Sequence, residues 1–84
     1  MKKIVIIEPK DTKIPPWVRT LLGMSFEAEE ISGGCLSVYK VSTEDVVAAL
    51  AEKDPPMAKW WEENYLLISE NGVLFPKKIC QLVS

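Results

Sequence analysis

The chain has 84 residues, a formal net charge of −2 and 48 % hydrophobic residues. A chain of this length forms a single domain, since separate cores develop only beyond about 250 residues, and its apolar content excludes a disordered chain. It contains no histidine, which removes the commonest general base, the commonest zinc ligand and the usual partner of a nucleophilic serine or cysteine. We therefore expect one domain over residues 1–84 that is not an enzyme.

The longest apolar run is too short for a membrane. Residues 4–7 fall well below the ~18 residues of a membrane helix and below the apolar core of a signal peptide. We therefore expect a cytoplasmic protein without membrane contact. Cys35 and Cys80 match no metal or redox spacing, and two buried thiols are favoured over a disulfide in the cytosol. The sequence thus predicts no metal, no cofactor and no small-molecule ligand.

The N-terminal third predicts a strand followed by a short helix. Residues 3–8 are rich in β-branched side chains, which predicts a strand buried on both faces. A pair of prolines then begins a helical turn over residues 15–22. Trp17 in this turn is interpreted as a core residue. Gly23 is expected to end the turn in the left-handed conformation.

A hairpin is predicted next. Residues 25–31 alternate between apolar and acidic side chains, as in a half-buried strand, and residues 35–41 return after a glycine-rich turn at 32–34. Glu27, Glu29 and Glu30 are interpreted as a solvated strand face. Glu27 and Glu29 could hold a metal ion only with a third ligand, and none lies near them in the sequence.

The C-terminal half predicts two helices and three strands. Ser42 is expected to cap a helix that ends by residue 54, and Pro55-Pro56 restarts a second helix through about residue 64. A strand over 65–69 should then turn back through Asn71-Gly72, a strong hairpin signal. A single helical turn over 76–79 and a last strand over 81–83 complete the chain.

Three stretches resemble a known family. Residues 72–83 (GVLFPKKICQLV), residues 22–28 (LGMSFEA) and the adjacent Trp60-Trp61 resemble Src-homology-3-like small barrels. The resemblance implies a mainly β fold with an α insertion (α+β). It is a small antiparallel barrel whose first and last strands are neighbours and whose last two strands are joined by a one-turn helix. Residues 41–65 would then be an insertion that holds two short helices between strands.

The same stretches depart from the family at its peptide site. Ile79 stands where the family has a tyrosine in its proline-peptide groove, and residues 9–16 contain no clear counterpart of its acidic loop. We therefore expect the fold to carry over without recognition of proline-rich peptides, since a fold alone does not determine function.

The insertion contains the candidate partner-binding residues. Trp60 and Trp61 are neighbours on a helix and point about 100° apart, so we expect one ring to be buried and the other to be partly exposed. Burial of both rings is the alternative. Exposed tryptophan is a common hot spot at protein interfaces, and Met57 adds a flexible apolar side chain.

Charge suggests a second possible site. Residues 25–70 have a net charge of −7, whereas the flanking segments are basic. If the first and last strands are neighbours, Lys2, Lys3, Lys77 and Lys78 should gather into one basic patch. Four lysines are too few for tight nucleic-acid binding but sufficient for a weak contact.

The sequence thus favours a small non-catalytic module that binds a protein partner. Its small size and its tryptophan-bearing insertion are in keeping with an accessory or inhibitor protein encoded by a phage or mobile element. The alternative is a nucleic-acid-associated small barrel that uses the basic patch.

Overall fold

The computed structural model describes residues 1–33, 36–65 and 71–83, without the side chain of Leu36. Five strands and three α-helices follow one another along the chain. In order they are β1 (Lys2–Ile6), α1 (Pro16–Thr20), β2 (Ser25–Gly33), β3 (Leu36–Val41), α2 (Thr43–Lys53), α3 (Pro55–Tyr65), β4 (Val73–Pro76) and β5 (Cys80–Leu82). A 3₁₀-helix, Lys77–Ile79, connects the last two strands.

The strands form one antiparallel sheet with the order β4-β3-β2-β1-β5. The sheet curls into a half-barrel, and the first and last strands are neighbours, with Ile4 opposite Leu82 and Ile6 opposite Cys80. The backbone N–H of Val83 also donates to the carbonyl of Lys3 at 2.9 Å. The C-terminus is therefore held against the N-terminal strand.

One face of the curled sheet carries the core. Because side chains alternate across a strand, the register places matching residues of adjacent strands on the same side. Ala28 pairs with Val41, and Val41 pairs with Val73. The buried side chains of this face are Ile4, Ile6, Phe26, Ala28, Tyr39, Val41, Val73 and Phe75.

The helices cover this face. In α2 the buried positions Val46, Ala49 and Leu50 recur at the spacing of one helical side. The other two helices contribute Trp17, Val18 and Trp61 to the same core. No helix in the described part of the chain is long and apolar enough to cross a membrane.

Several sequence predictions are confirmed. Gly23 ends the α1 turn with a φ of 82°, Trp17 is a core residue, and β2 buries Phe26 and Ala28 while exposing Glu27 and Glu29. The 3₁₀-helix lies where the one-turn helix was expected.

Other predictions need correction. The fold is α+β with an antiparallel sheet, as expected, but the described strands and α-helices occupy equal numbers of residues, so the expected predominance of strand is wrong. The first strand buries Ile4 and Ile6, but Val5 and Ile7 on its other face remain partly exposed, because the helices cover only one side of the sheet. Tyr65 ends α3 instead of beginning a strand.

Three further predictions concern the start of α2, the strand over 65–69 and the turn at 32–34. Ser42 occupies the N-cap of α2, but its hydroxyl makes no capping hydrogen bond. The acidic side chains of Glu44 and Asp45 lie in the first turn and offset the helix dipole there. Of the strand predicted over 65–69, the residues after Tyr65 lie outside the described residues. Ser32 and Gly33 of the predicted 32–34 turn belong to β2, with Gly33 opposite Leu36, and Gly34 lies outside the described residues.

Candidate functional site

An apolar groove lies where α3 and the end of α2 meet α1. Its walls are Pro16 at the start of α1, Asp54 between α2 and α3, and Pro56, Met57 and Trp60 on α3. Its volume is about 370 Å³, which is within the size range of small ligand pockets. Both α1 and α3 begin with proline, whose fixed φ suits the first helical turn.

Helical geometry separates the two adjacent tryptophans. Trp61 is fully buried, whereas 43 % of the surface of Trp60 is exposed. The prediction that one ring is buried and one is partly exposed is therefore confirmed. Trp61 is excluded as a surface contact because no part of it reaches the solvent, which leaves Trp60 and the half-buried Met57 as the exposed members of the predicted set.

Trp60 is held by an aromatic cluster. Its ring lies 5.6 Å from that of Tyr65 at an angle of 59°, and Tyr65 stacks on Trp61 at 5.8 Å. Trp17 contacts both Trp61 and Tyr65, with centroid distances of 5.8 and 5.6 Å. Such tilted and stacked pairs add packing energy beyond burial. The exposed ring therefore rests on a rigid base.

The cluster also contains two buried donors. Within the described part of the chain, the indole N–H groups of Trp17 and Trp61 have no hydrogen-bond partner. Both indole rings pack against other aromatic rings, whose π faces are weak acceptors. These donors are enclosed in the core and do not open into the groove.

Asp54 places a carboxylate in the groove wall. Its backbone N–H donates to the carbonyl of Leu50 at 2.7 Å at the end of α2, and its own carbonyl accepts from Ala58 at 3.0 Å at the start of α3. The backbone N–H of Met57 donates to Oδ1 of Asp54 at 3.3 Å. Asp54 therefore joins the two helices and contributes the groove's only charged lining residue among those described.

The predicted basic patch is partly neutralised. Lys2 donates to Glu30 Oε1 at 2.7 Å, and Lys77 pairs with Oε2 of the same carboxylate. The two hydrogen bonds lower the pKa of Glu30 to about 2, and the bond to Glu30 raises the pKa of Lys2. The Lys77 ammonium also lies 5.4 Å from the centre of the Tyr39 ring, close enough for a cation–π contact.

Lys3 does not join this pair on one surface. Lys3 lies opposite Glu27 in the sheet register and, by alternation, on the other side of β1 from Lys2. Lys78 is exposed on the 3₁₀-helix. Lys2 and Lys77 come together as expected, but Glu30 lies between them and reduces their positive potential.

The half-buried Cys80 is a weak nucleophile. Burial raises the pKa of its thiol to about 11, and Sγ donates to the carbonyl of Pro76 at 3.4 Å. It is a free thiol, protonated at neutral pH. Cys35, which is also predicted to be a buried thiol, lies outside the described residues. Among those described, no three histidine, cysteine or acidic side chains cluster to hold a metal ion.

Sequence reasoning overlooked Asp54 as a site residue and wrongly placed Glu30 on the solvated face of β2, although its carboxylate is paired with Lys2 and Lys77. Asp54 directly precedes Pro55-Pro56, and an acidic residue before an N1 proline is an N-cap signal. Glu30 lies on the core side of β2, in phase with Phe26 and Ala28, and this period-two position was the available signal.

No protein family model, curated protein or solved structure matches this chain.

Proposed function

We propose that this domain is a small non-catalytic protein-binding module and that its interface is centred on Trp60. The observation that carries the proposal is the exposure of 43 % of this tryptophan in an apolar groove of the inserted helices. Tryptophan is strongly enriched among interface hot spots. An exposed ring on a rigid base loses little conformational freedom on binding, which favours affinity.

The groove supports this function better than the basic residues do. Pro16, Pro56 and Met57 continue the apolar surface around Trp60, whereas two of the four lysines are already paired with Glu30. The non-catalytic part of the proposal rests on the sequence, which contains no histidine, and on the protonated state of Cys80.

We also propose that the scaffold is a Src-homology-3-like barrel. Two features support this: β1 pairs with β5, and a 3₁₀-helix joins β4 to β5. The helices α2 and α3 occupy the segment that the resemblance treats as an insertion. A rigid sheet that presents an added segment is a common arrangement for binding sites. The small size suits an accessory or inhibitor protein of a phage or mobile element.

The test uses a lysate of the source organism, with and without nuclease treatment. It compares the proteins captured by the wild-type domain, Trp60→Ala and Leu74→Ala. Leu74 is a matched control because it is 52 % exposed but lies on β4, away from the groove. We expect a partner that wild-type protein and Leu74→Ala retain and that Trp60→Ala loses, with affinity weakened by about 2 kcal/mol, or roughly 30-fold.

Two results would contradict the proposal. Equal capture by all three folded proteins would place the interface elsewhere. Loss of every captured protein after nuclease treatment would instead favour the nucleic-acid alternative.

A further inference from the structure

The groove combines an apolar floor with negative surroundings. Of the five lining residues within the described part of the chain, four are apolar and the fifth is Asp54. Glu63 is exposed on α3 three residues beyond Trp60, and residues three apart on a helix are neighbours on its surface. Over residues 41–65 the sequence carries six acidic residues against Lys53 and Lys59.

The same negative charge disfavours a second copy of this domain as the occupant. Each groove carries Asp54 in its lining and the exposed Glu63 beside Trp60, so two grooves brought face to face would place like charges together. Juxtaposed like charges suppress association, whereas complementary charge accelerates encounter and gives specificity.

We propose that the groove binds a basic segment of a protein partner, with one large apolar side chain as its anchor. This inference rests on the proposed function of the groove and names the chemistry of its partner. The anchor packs against Trp60, Met57 and Pro16, while flanking lysine or arginine side chains approach Asp54 and Glu63. The groove volume of about 370 Å³ is sufficient for one such anchor.

The test uses three acetylated and amidated pentapeptides: Lys-Lys-Phe-Lys-Lys, Ser-Ser-Phe-Ser-Ser and Glu-Glu-Phe-Glu-Glu. Binding is followed by heteronuclear NMR through the indole N–H signal of Trp60. This signal reports on the groove because the other two indoles, those of Trp17 and Trp61, are buried. We expect the lysine peptide to shift the Trp60 signal and to bind at least about tenfold more tightly than the glutamate peptide, with a preference that decreases as salt screens the charges.

Charge variants show whether the groove itself selects the basic peptide. Asp54→Asn and Glu63→Gln are each expected to weaken binding of the lysine peptide about threefold or more. Glu29→Gln is the matched control, since it removes the same charge from an exposed position on β2 opposite Lys40. It should leave the affinity nearly unchanged.

Four outcomes would overturn the inference. Equal binding of all three peptides would reject the charge preference while leaving the groove as a docking site. Equal weakening by Glu29→Gln would show that only the net charge matters. A Trp60 signal that moves with protein concentration alone would identify a second copy as the occupant. If no peptide moves this signal, the basic-segment partner is rejected. The lysate-capture comparison of wild-type protein with Trp60→Ala then decides separately whether the groove binds any protein.

Discussion

Two adjacent tryptophans differ in what they contribute. Trp61 is fully buried among other aromatic rings, whereas Trp60 remains 43 % exposed. We expect Trp61→Ala to lower the free energy of unfolding by about 3–5 kcal/mol because it leaves a large cavity. Trp60→Ala should lower it by about 1 kcal/mol or less. Denaturant unfolding of both variants measures the difference, and equal losses would contradict the assignment of one ring to the core and one to the surface.

Gly72 is constrained in a way that Gly23 is not. Both have positive φ, 115° and 82° respectively. A Cβ on Gly72 would lie 3.1 Å from the backbone carbonyl oxygen of Val41 and 2.8 Å from Cε of Lys40, whereas nothing lies within 4 Å of one on Gly23. Gly72→Ala should therefore cost about 2–3 kcal/mol of stability through strain and crowding, and Gly23→Ala about 1 kcal/mol through strain alone.

Thermal melts of the two glycine variants test this ranking. The wild-type protein and both variants are compared under identical conditions. A larger loss at Gly23 than at Gly72 would show that the close approach to β3 does not decide the cost.

At the scale of elements, Asp54 couples α2 to α3. Its backbone N–H makes the last hydrogen bond of α2, and its carboxylate accepts a hydrogen bond from the N–H of Met57 in α3. Asp54→Ala should cost about 0.5–2 kcal/mol, the usual loss for an N-cap, while Asp54→Asn should retain most of the stability because asparagine caps as well. Denaturant unfolding of the two variants distinguishes them. If the two are equally destabilised, the carboxylate acts through charge and not as a cap.

The elements also show how far the sequence could predict the fold. Proline pairs, the Ser25–Ile31 alternation and the glycine at 23 are local signals, so they placed α1, α3, β2 and their ends closely. The burial of only one face of β1 depends on where the helices pack, which no local pattern encodes. Tyr65 joined α3 because its ring contacts Trp17 and Trp61, and this tertiary contact overrode its strand propensity.

The candidate site was predictable to a similar extent. Trp60 and Met57 followed from the helical spacing of an inserted segment, and geometry alone required one of the two adjacent tryptophans to turn outward. Which of the two does so depends on the position of α1, since Trp17 covers Trp61. The contribution of Pro16 to the groove depends on the same tertiary packing.

At the scale of the whole molecule, Glu30 connects the two ends of the chain. It lies on β2 and binds Lys2 of β1 and Lys77 of the 3₁₀-helix, 47 positions away in sequence. These partners lower the pKa of its carboxyl from about 4.5 to about 2. A carboxyl whose pKa is depressed in the folded state stabilises the fold above its unfolded pKa, and this contribution is lost as the pH falls toward the folded value.

We therefore expect the stability difference between wild-type protein and Glu30→Gln to be constant above about pH 5.5 and to decrease progressively between pH 4.5 and pH 2. Urea unfolding of both proteins across this range measures the difference. Glu29→Gln is the control, since Glu29 lies on the opposite side of β2. Because all three side chains are partly exposed, added salt should reduce the difference near neutral pH. A difference that persists unchanged at pH 2 would mean that glutamine disturbs packing, and that the ionised carboxylate does not stabilise the fold by connecting the two ends of the chain.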